Sequence, residues 1–317
     1  MYLKDIVIKF LPDVYILSYN KKMKKRIERN RQWLSVPESN YPEILKKVYF
    51  KKIGRELDID KPKAYTEKVQ WLKLHDSTPE KTAFADKFKA KVLAGNIIGT
   101  EHIIEAYGRW NSFDEIDFDT LPDSFVFKTN HGSGNVVIVK NKKKFIHSAQ
   151  YRIAKAKFNV WMQINYAFDD TLELHYKDIE PCIFAEEYLD SDMDEYRFLC
   201  FNGEPYYCYT EKHADEHRYI RNVYDMEWNL VECNFGRNSV NGAKESVPPL
   251  FEQMKSAAKD LSKDFTHVRV DFYNTGDNFY FGEMTFTSGS GFTYIEPESF
   301  DLKLGSLMPQ IGETGVE

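Results

Sequence analysis

The chain has 317 residues, 42% of them apolar and 15% aromatic, enough for two or three packed lobes and incompatible with intrinsic disorder. Its 43 Lys and Arg against 49 Asp and Glu leave a net charge of −6, so the basic excess of a nucleic-acid-binding protein is missing and no nucleic-acid partner is expected. The apolar opening is interrupted by Asp5, Lys9, Pro12 and Asp13, which excludes a membrane span and a signal peptide; Cys182, Cys200, Cys208 and Cys233 form no C-x-x-C pair, read as reduced thiols and make a cytoplasmic location the expectation.

Residues 1–40 read as a basic helical extension, densest in KKMKKRIERNR at 21–31. Two readings stand for it: a segment lying on an anionic membrane surface, or a solvated helix face packed on the body through Ile27 and Leu34, the second being preferred. Residues 41–105 form an α-rich lobe. There Tyr65, Val69 and Leu72 recur at i, i+4, i+7, and Phe84, Phe88 and Val92 repeat the stripe before a stop at Gly95-Asn96. Residues 106–189 change texture: LPDSFVFKTN, NVVIVK and PCIFAEEYL read as short strands, with a helix from Phe145 to Phe158 among them.

Residues 190–317 hold a hairpin turned at Asn202-Gly203 and then a helix after Pro248-Pro249. That helix carries Leu250, Phe251, Met254, Ala257, Ala258 and Leu261 on one stripe. Two strands follow, HVRVDFY and NFYFGEMTF, joined by NTGDN. Antiparallel strands with helices packed on them predict the α+β class. No internal repeat or low-complexity linker interrupts the pattern.

In FVFKTNHGSGN, residues 125–135, a strand ends in Lys128 and runs into a loop with two glycines. Glycines let backbone N–H groups approach an anion, and Lys128 adds a point charge. The alternative is an ordinary hairpin loop, since no G-K-[ST] follows. In the last two strands, alternation puts Arg269 and Asp271 on one face of the first, and Phe279, Phe281, Glu283 and Thr285 on one face of the second. A turn centred on Gly276 places Arg269 opposite Glu283, so that two carboxylates and a guanidinium converge. Such acids together with phosphate oxygens suit Mg²⁺; the competing reading is an Arg269–Glu283 cross-strand ion pair beside a solvated Asp271. The loop TFTSGSG after Glu283 offers hydroxyls to an anionic group, or is a simple turn.

The strand PCIFAEEYL ends in two acids with more following, an arrangement able to read an adenine by its main chain and a ribose by a carboxylate; for Asp190, Asp192 and Asp194 individually the preferred reading is a solubilising loop. The histidines, His213 and His217 included, show no metal-protease or zinc spacing, and no G-x-S-x-G elbow is present. Lys212, Arg218 and Arg221 stand either as an anion site or, preferably, as surface charges.

Lys87 in ADKFKAK, Lys128 with its glycine loop, EEYLDSDMDEYRFLCFNGEP, YDMEW and VRVDFYNTGDNFYFGEMTFTSGSG together resemble the ATP-grasp superfamily. Over residues 41–310, with YFKKIGRELDIDKPKAYTEKVQWLKLHD added, the chain resembles its TupA-like, teichuronopeptide-biosynthesis branch. The resemblance implies two α+β subdomains clasping ATP. Lys87 and Lys128 match the lysines on the α- and β-phosphates, and Gly132-Ser133-Gly134, next to His131, matches the cover over the phosphates. Glu186, Glu187 and Tyr188 match the adenine hinge, and Asp194 or Glu195 falls where the ribose acid is sought. Arg269 matches the arginine that stabilises the acyl-phosphate and its tetrahedral adduct. Asp271 and Glu283 match the ligands of two Mg²⁺ ions, with Thr285 where the superfamily has a metal-binding Asn.

The implied activity is a carboxylate–amine ligase working through an acyl-phosphate in cell-surface polysaccharide synthesis, taking a small-molecule or glycan acid and an amine or amino acid. The rivals are a kinase on the same scaffold, a noncatalytic nucleotide-binding scaffold recruited to the membrane through residues 1–31, and a glycosyltransferase using Asp190-x-Asp192 or Asp117-x-Asp119.

Overall fold

The computed structural model describes residues 10–169, 171–189, 193–213 and 218–311. In chain order come α1 (Pro12–Trp33), α2 (Tyr41–Ile53), α3 (Tyr65–His75), α4 (Pro79–Ala85), α5 (Lys87–Ile98), β1 (Ala106–Trp110), β2 (Phe125–Thr129), β3 (Val136–Val139), α6 (Lys142–Ile146), α7 (Ala149–Trp161) and β4 (Ile183–Glu187). The second half adds β5 (Asp194–Phe201), β6 (Glu204–His213), β7 (Tyr219–Asp225), β8 (Leu230–Val231), β9 (Asn234–Phe235), β10 (Ser239–Val240), α8 (Phe251–Ser262), β11 (His267–Asn274), β12 (Phe279–Thr285), β13 (Ile295–Glu296) and α9 (Glu298–Ser306).

The strands build two main sheets. The smaller has the order β1-β4-β2-β3 and is antiparallel throughout. Its core is aromatic: Phe113, Phe125 and Phe127 pack against Phe158 and Trp161 of α7. The larger has the order β10-β7-β6-β5-β11-β12, with β8 added to β7 and β10 alone running parallel.

Strand alternation gives the larger sheet two different faces. Phe198, Cys200, Cys208 and Phe272 pack against the apolar stripe of α8, with Ala90 and Ala94 of α5 in the same cluster. Leu199, Phe201, Tyr207 and Tyr209 meet Tyr49, Tyr65 and Phe300 of α2, α3 and α9. Beyond the end of that second cluster, the same face carries Glu195, Arg197, Arg269 and Asp271.

Several elements match the sequence patterns. Asn202 and Gly203 both adopt positive φ (49° and 78°) in the tight turn between β5 and β6. Tyr65, Val69 and Leu72 are buried on α3, and the predicted stripe is the buried face of α8. All four cysteines are free and buried.

Other expectations need correction. The stripe Phe84–Phe88–Val92 does not exist, because Asp86 ends α4 and caps α5 by accepting from Phe88 N (3.0 Å) and Lys89 N (3.1 Å). Val92 is exposed, α5 turns Ala90, Lys91, Ala94 and Gly95 inward, and the helix runs past Gly95 to Ile98. The single helix at 145–158 is two, since Ser148 caps α7 by accepting from Gln150 N. α1 docks on the body through Met23, Ile27 and Asn30, with Arg26 Nε donating to Asp169 Oδ1 at 2.9 Å; Leu34 is 68% exposed and takes no part. Asp190, Asp192, His217 and residues 1–9 lie outside the described residues. No helix among the described residues is long and apolar enough to cross a membrane.

Candidate functional site

A cleft of about 310 Å³ lies where the smaller sheet faces the edge of the larger one. Val126, Ile138 and Phe184 wall it from the smaller sheet, and Tyr273, Gly282 and Glu283 from β11 and β12. Its apolar interior carries a row of charges: Lys87, Lys91, Lys128, Glu186 and Glu283. An apolar slot with a few placed charges is the usual form of a small-molecule site.

Two contacts bring the lysines together. Asn130 Nδ2 donates to Asp86 Oδ2 (2.9 Å) and Lys87 N donates to Asn130 O (2.8 Å), so the start of α5 is pinned to the loop after β2. Lys87 Nζ then pairs with Glu283 Oε2 at 2.8 Å. Lys91, one turn along α5, reaches Glu186 Oε2 at 2.7 Å and donates to Ile104 O at 3.0 Å, while Lys128 pairs with the other Glu186 oxygen. Burial works against the charge of Glu186, but Lys128 and Lys91 outweigh it and hold the carboxyl below its usual range. Burial lowers Lys91 itself despite that partner.

The glycine loop is bound to the protein beneath it. Asn135 Nδ2 donates to Thr129 Oγ1 (3.0 Å) and to Tyr166 Oη (2.7 Å). Gly132, at φ 76°, lies so close over the Tyr166 ring that any Cβ would overlap it, whereas Gly134, at φ 73°, has open space around it. His131 was expected at the cleft and is not there. It is buried under the loop, its Nδ1 against Asn130 Oδ1 and Nε2 against Trp161 O (both 3.2 Å), and burial pulls its pKa down to about 4. Gly132, Ser133 and Gly134 do line the cleft, as do Glu187 and Tyr188.

The last two strands converge, in a different register from the one the turn suggested. Arg269 stands opposite Thr285 and Asp271 opposite Glu283. The turn has four residues, Thr275 N donating to Asn278 O, and the pairing slips again between Asp271 and Phe272, where Gly282 lies against the Asp271 carbonyl. Convergence survives the shift. Arg269 donates from Nε to Asp271 Oδ1 (2.7 Å), from Nη2 to Asp271 Oδ2 (2.5 Å) and to Glu283 Oε1 (3.0 Å), and Thr285 Oγ1 donates to Glu283 Oε1 at 2.9 Å. Burial pushes the Asp271 carboxyl above its usual range against the pull of Arg269. Enclosure also opposes the charge of Glu283, yet Lys87 and Arg269 prevail and keep it far below the usual carboxylate range.

A second, polar cleft of about 420 Å³ opens on the other side of Glu283. Ser133 and Glu283 line both clefts, which therefore meet there. Arg197, Arg221, Arg237 and Arg269 surround the second cleft. Arg221 is thus no surface charge: it pairs with Glu211 and donates to Phe235 O across Gly236, where a Cβ would stand 2.8 Å from Arg221 Nη1. Lys212, half exposed, pairs with Glu245 at 3.0 Å; Arg218 and His213 are exposed, the latter with its ring against Tyr219. Asp117 accepts from Asp119 N in an exposed turn.

One further expectation fails. Asp194 pairs with Lys212 (3.5 Å) and is not part of the first cleft, because alternation along β5 turns it to the face of Tyr196; Glu195 points to the second cleft and binds Arg197. In the loop after β12, Thr287 and Ser290 spend their hydroxyls on Glu173, and Ser288 accepts from Arg269 (3.3 Å). The hydroxyls of Thr287 and Ser290 hold the loop, while Ser288 lines the second cleft described above.

Lys91, Arg197 and Arg237 escaped the sequence reading. Lys91 was legible as the residue four beyond Lys87, and Arg197 as two from Glu195 on one strand. Arg237 carried no local signal.

A family model described as "TupA-like ATPgrasp" matches residues 67–309. The chain belongs to the TupA-like ATP-grasp family. Residues 1–66 lie outside the match. No curated protein matches. Among solved structures, D-alanine–D-alanine ligase from Bacillus anthracis, complexed with ATP, is 17% identical with TM-score 0.37, covering 64% of this chain; this chain spans 55% of it. The Helicobacter pylori D-alanine–D-alanine ligase is 15% identical, TM-score 0.40, with 79% and 71% covered. N5-carboxyaminoimidazole synthetase from Staphylococcus aureus, complexed with ADP, is 11% identical, TM-score 0.39, with 64% and 44% covered. The ATP-grasp fold of this TupA-like member is the α+β arrangement described above.

The oxygen donors on β12 suit the magnesium that accompanies nucleotides. Glu283 and Thr285 present hard oxygens within 2.9 Å of each other, and Mg²⁺ is commonly held by one or two carboxylates completed by phosphate and water. Asp271 has both oxygens engaged by Arg269. No group of three or more His, Cys, Asp or Glu suited to a metal occurs among the described residues.

Proposed function

We propose that this protein is an ATP-dependent carboxylate–amine ligase that acts through an acyl-phosphate. The observation that carries the reading is the junction of the two clefts at Glu283 and Ser133, a lysine-lined one sized for a nucleotide and an arginine-lined one for an acid. A carboxylate is a poor acyl donor until ATP transfers its γ-phosphoryl to it. Such transfer needs alignment and charge neutralisation more than a covalent helper.

In this reading Lys87, Lys128 and Lys91 bind the polyphosphate, Glu187 and Tyr188 border the base, and Gly132-Ser133-Gly134 covers the phosphates. Glu283 and Thr285, with Asp271 once Arg269 turns to substrate, would hold Mg²⁺, which neutralises phosphate charge when bound. Arg269 stabilises the acyl-phosphate and the oxyanion that forms as the amine attacks, and the glycine loop excludes water from the intermediate. The four-part division at residues 40, 105 and 189 frames this assignment. The substrates proposed are a carboxylated sugar and an amine or amino acid, in cell-surface polysaccharide synthesis at the cytoplasmic face of the membrane. Exposed Phe10, Leu11, Val14 and Leu17 ahead of the basic run of α1 support contact with an anionic bilayer, which vesicle cosedimentation tests.

Hydroxylamine decides between ligase and kinase. With ATP, Mg²⁺ and a panel of uronic and amino acids, a ligase releases ADP and yields a hydroxamate; ADP release with a phosphorylated hydroxyl and no hydroxamate would refute the reading.

A further inference from the structure

The second cleft contains an unequal set of cations. Arg197 pairs with Glu195 (2.5 Å) and Glu211 (3.2 Å), Arg221 pairs with Glu211, and Arg269 is held by Asp271 and Glu283. Arg197 and Arg221 also lie over the Tyr209 ring, at 5.6 and 5.1 Å, so they are fixed parts of the wall. Arg237 differs. Its Nη2 donates to Lys52 O (2.7 Å) and its guanidinium lies 5.4 Å from the Tyr294 ring centre, but it has no carboxylate partner among the described residues. It is carried there by the segment after β9, tied to the β13 side where Gly236 N donates to Tyr294 O at 2.8 Å.

We propose that the acid taken by the second cleft carries a second anionic group, carboxylate or phosphate, which Arg237 reads while the reacting carboxylate lies at Arg269. This rests on the ligase reading above and specifies its substrate. A guanidinium fixed by a carbonyl and an aromatic face keeps donors for a planar or tetrahedral anion, and its charge is not cancelled locally. Phe235 and Tyr294 add aromatic surface for the body of the molecule between its two anions. The volume of about 420 Å³ suits a sugar-sized acid. Arg197 Nε, buried and beyond hydrogen-bond distance of any acceptor, faces Asp271 Oδ2 at 3.8 Å and so belongs to the wall.

The test is calorimetric titration of the full chain with galactarate, galacturonate 1-phosphate and galacturonate, with and without AMPPNP and Mg²⁺. A dianion should bind about tenfold or more tightly than galacturonate, as expected for an added charge-assisted contact. Whether galactarate or the phosphate is favoured identifies the second anion. Arg237→Gln, at an exposed position, should bring the dianion down to the affinity of galacturonate. Equal affinities for mono- and dianions, equal losses for all three acids in Arg237→Gln, or no binding of any acid would overturn the proposal. Preferential dianion binding that depends on Arg237, in a protein that binds no AMPPNP, would sustain it and refute the ligase reading instead.

Discussion

Glu186 offers the sharpest separation between holding the site and binding its ligand. Its carboxylate is 3% exposed and spans two ammonium groups, Lys91 at 11% and Lys128 at 21%. Glu186→Gln keeps the shape and removes the charge, leaving two like charges facing a neutral amide. Breaking a buried pair by removing one partner costs about 3–5 kcal/mol, and because Lys128 opens on the cleft the lower end applies, about 3 kcal/mol. Urea unfolding of wild type and variant measures that loss. AMPPNP supplies the lysines with phosphate oxygens whether or not Glu186 is charged. Its Kd should therefore stay within about threefold, a change under about 0.7 kcal/mol. Full stability with a Kd raised more than about tenfold would refute the reasoning. The carboxylate would then be a ligand of the nucleotide and not the holder of the lysines.

Glu283→Gln takes the carboxylate from Lys87 and one of two from Arg269, so it should lower stability by about 1–3 kcal/mol and, in the protein that remains folded, lower ADP release by about 10²-fold or more; unchanged release would remove Glu283 from the chemistry. Gly134→Ala, at positive φ with open space, should cost about 1 kcal/mol, whereas Gly132→Ala, with the same sign of φ and overlap with Tyr166 as well, should cost about 2–4 kcal/mol; equal losses would show that the Tyr166 contact is unimportant. Lys73 is fully buried, donates to Thr171 O (2.8 Å) and Gln70 Oε1 (3.0 Å), and burial lowers its pKa to about 7 although Glu173 opposes the shift. Between that value and its ordinary 10.5 the unfolded chain binds the extra proton, so stability rises with pH by up to about 1.4 kcal/mol per unit; Lys73→Met should flatten this slope, and an unchanged slope would refute the assignment.

The parts of the site that share one strand or one loop were legible. Arg269, Asp271, Glu283 and Thr285 follow the two-residue period, and Lys128 with Gly132 and Gly134 forms a single turn of chain. The exact pairing was not, because the four-residue turn and the slip beside Gly282 each displace the register without altering the apolar pattern. His131 misled through adjacency: its neighbours line the cleft while its own ring is needed below, against the Trp161 carbonyl. The second cleft was illegible for a different reason. Arg197, Arg221 and Arg237 come from β5, β7 and the segment after β9; the order of the larger sheet brings the first two to Arg269, and the separate pairing of β9 with β13 brings the third. Asp86 showed the opposite conflict, a local cap overriding an apolar stripe that seemed continuous in the sequence.

A crystal structure with AMPPNP and Mg²⁺ tests the central claim most directly. The account predicts the base beside Glu187 and Tyr188, the phosphates against Lys87 and Lys128 under the glycine loop, and the metal on Glu283. A nucleotide bound elsewhere, or phosphates out of reach of both lysines and Glu283, would contradict it.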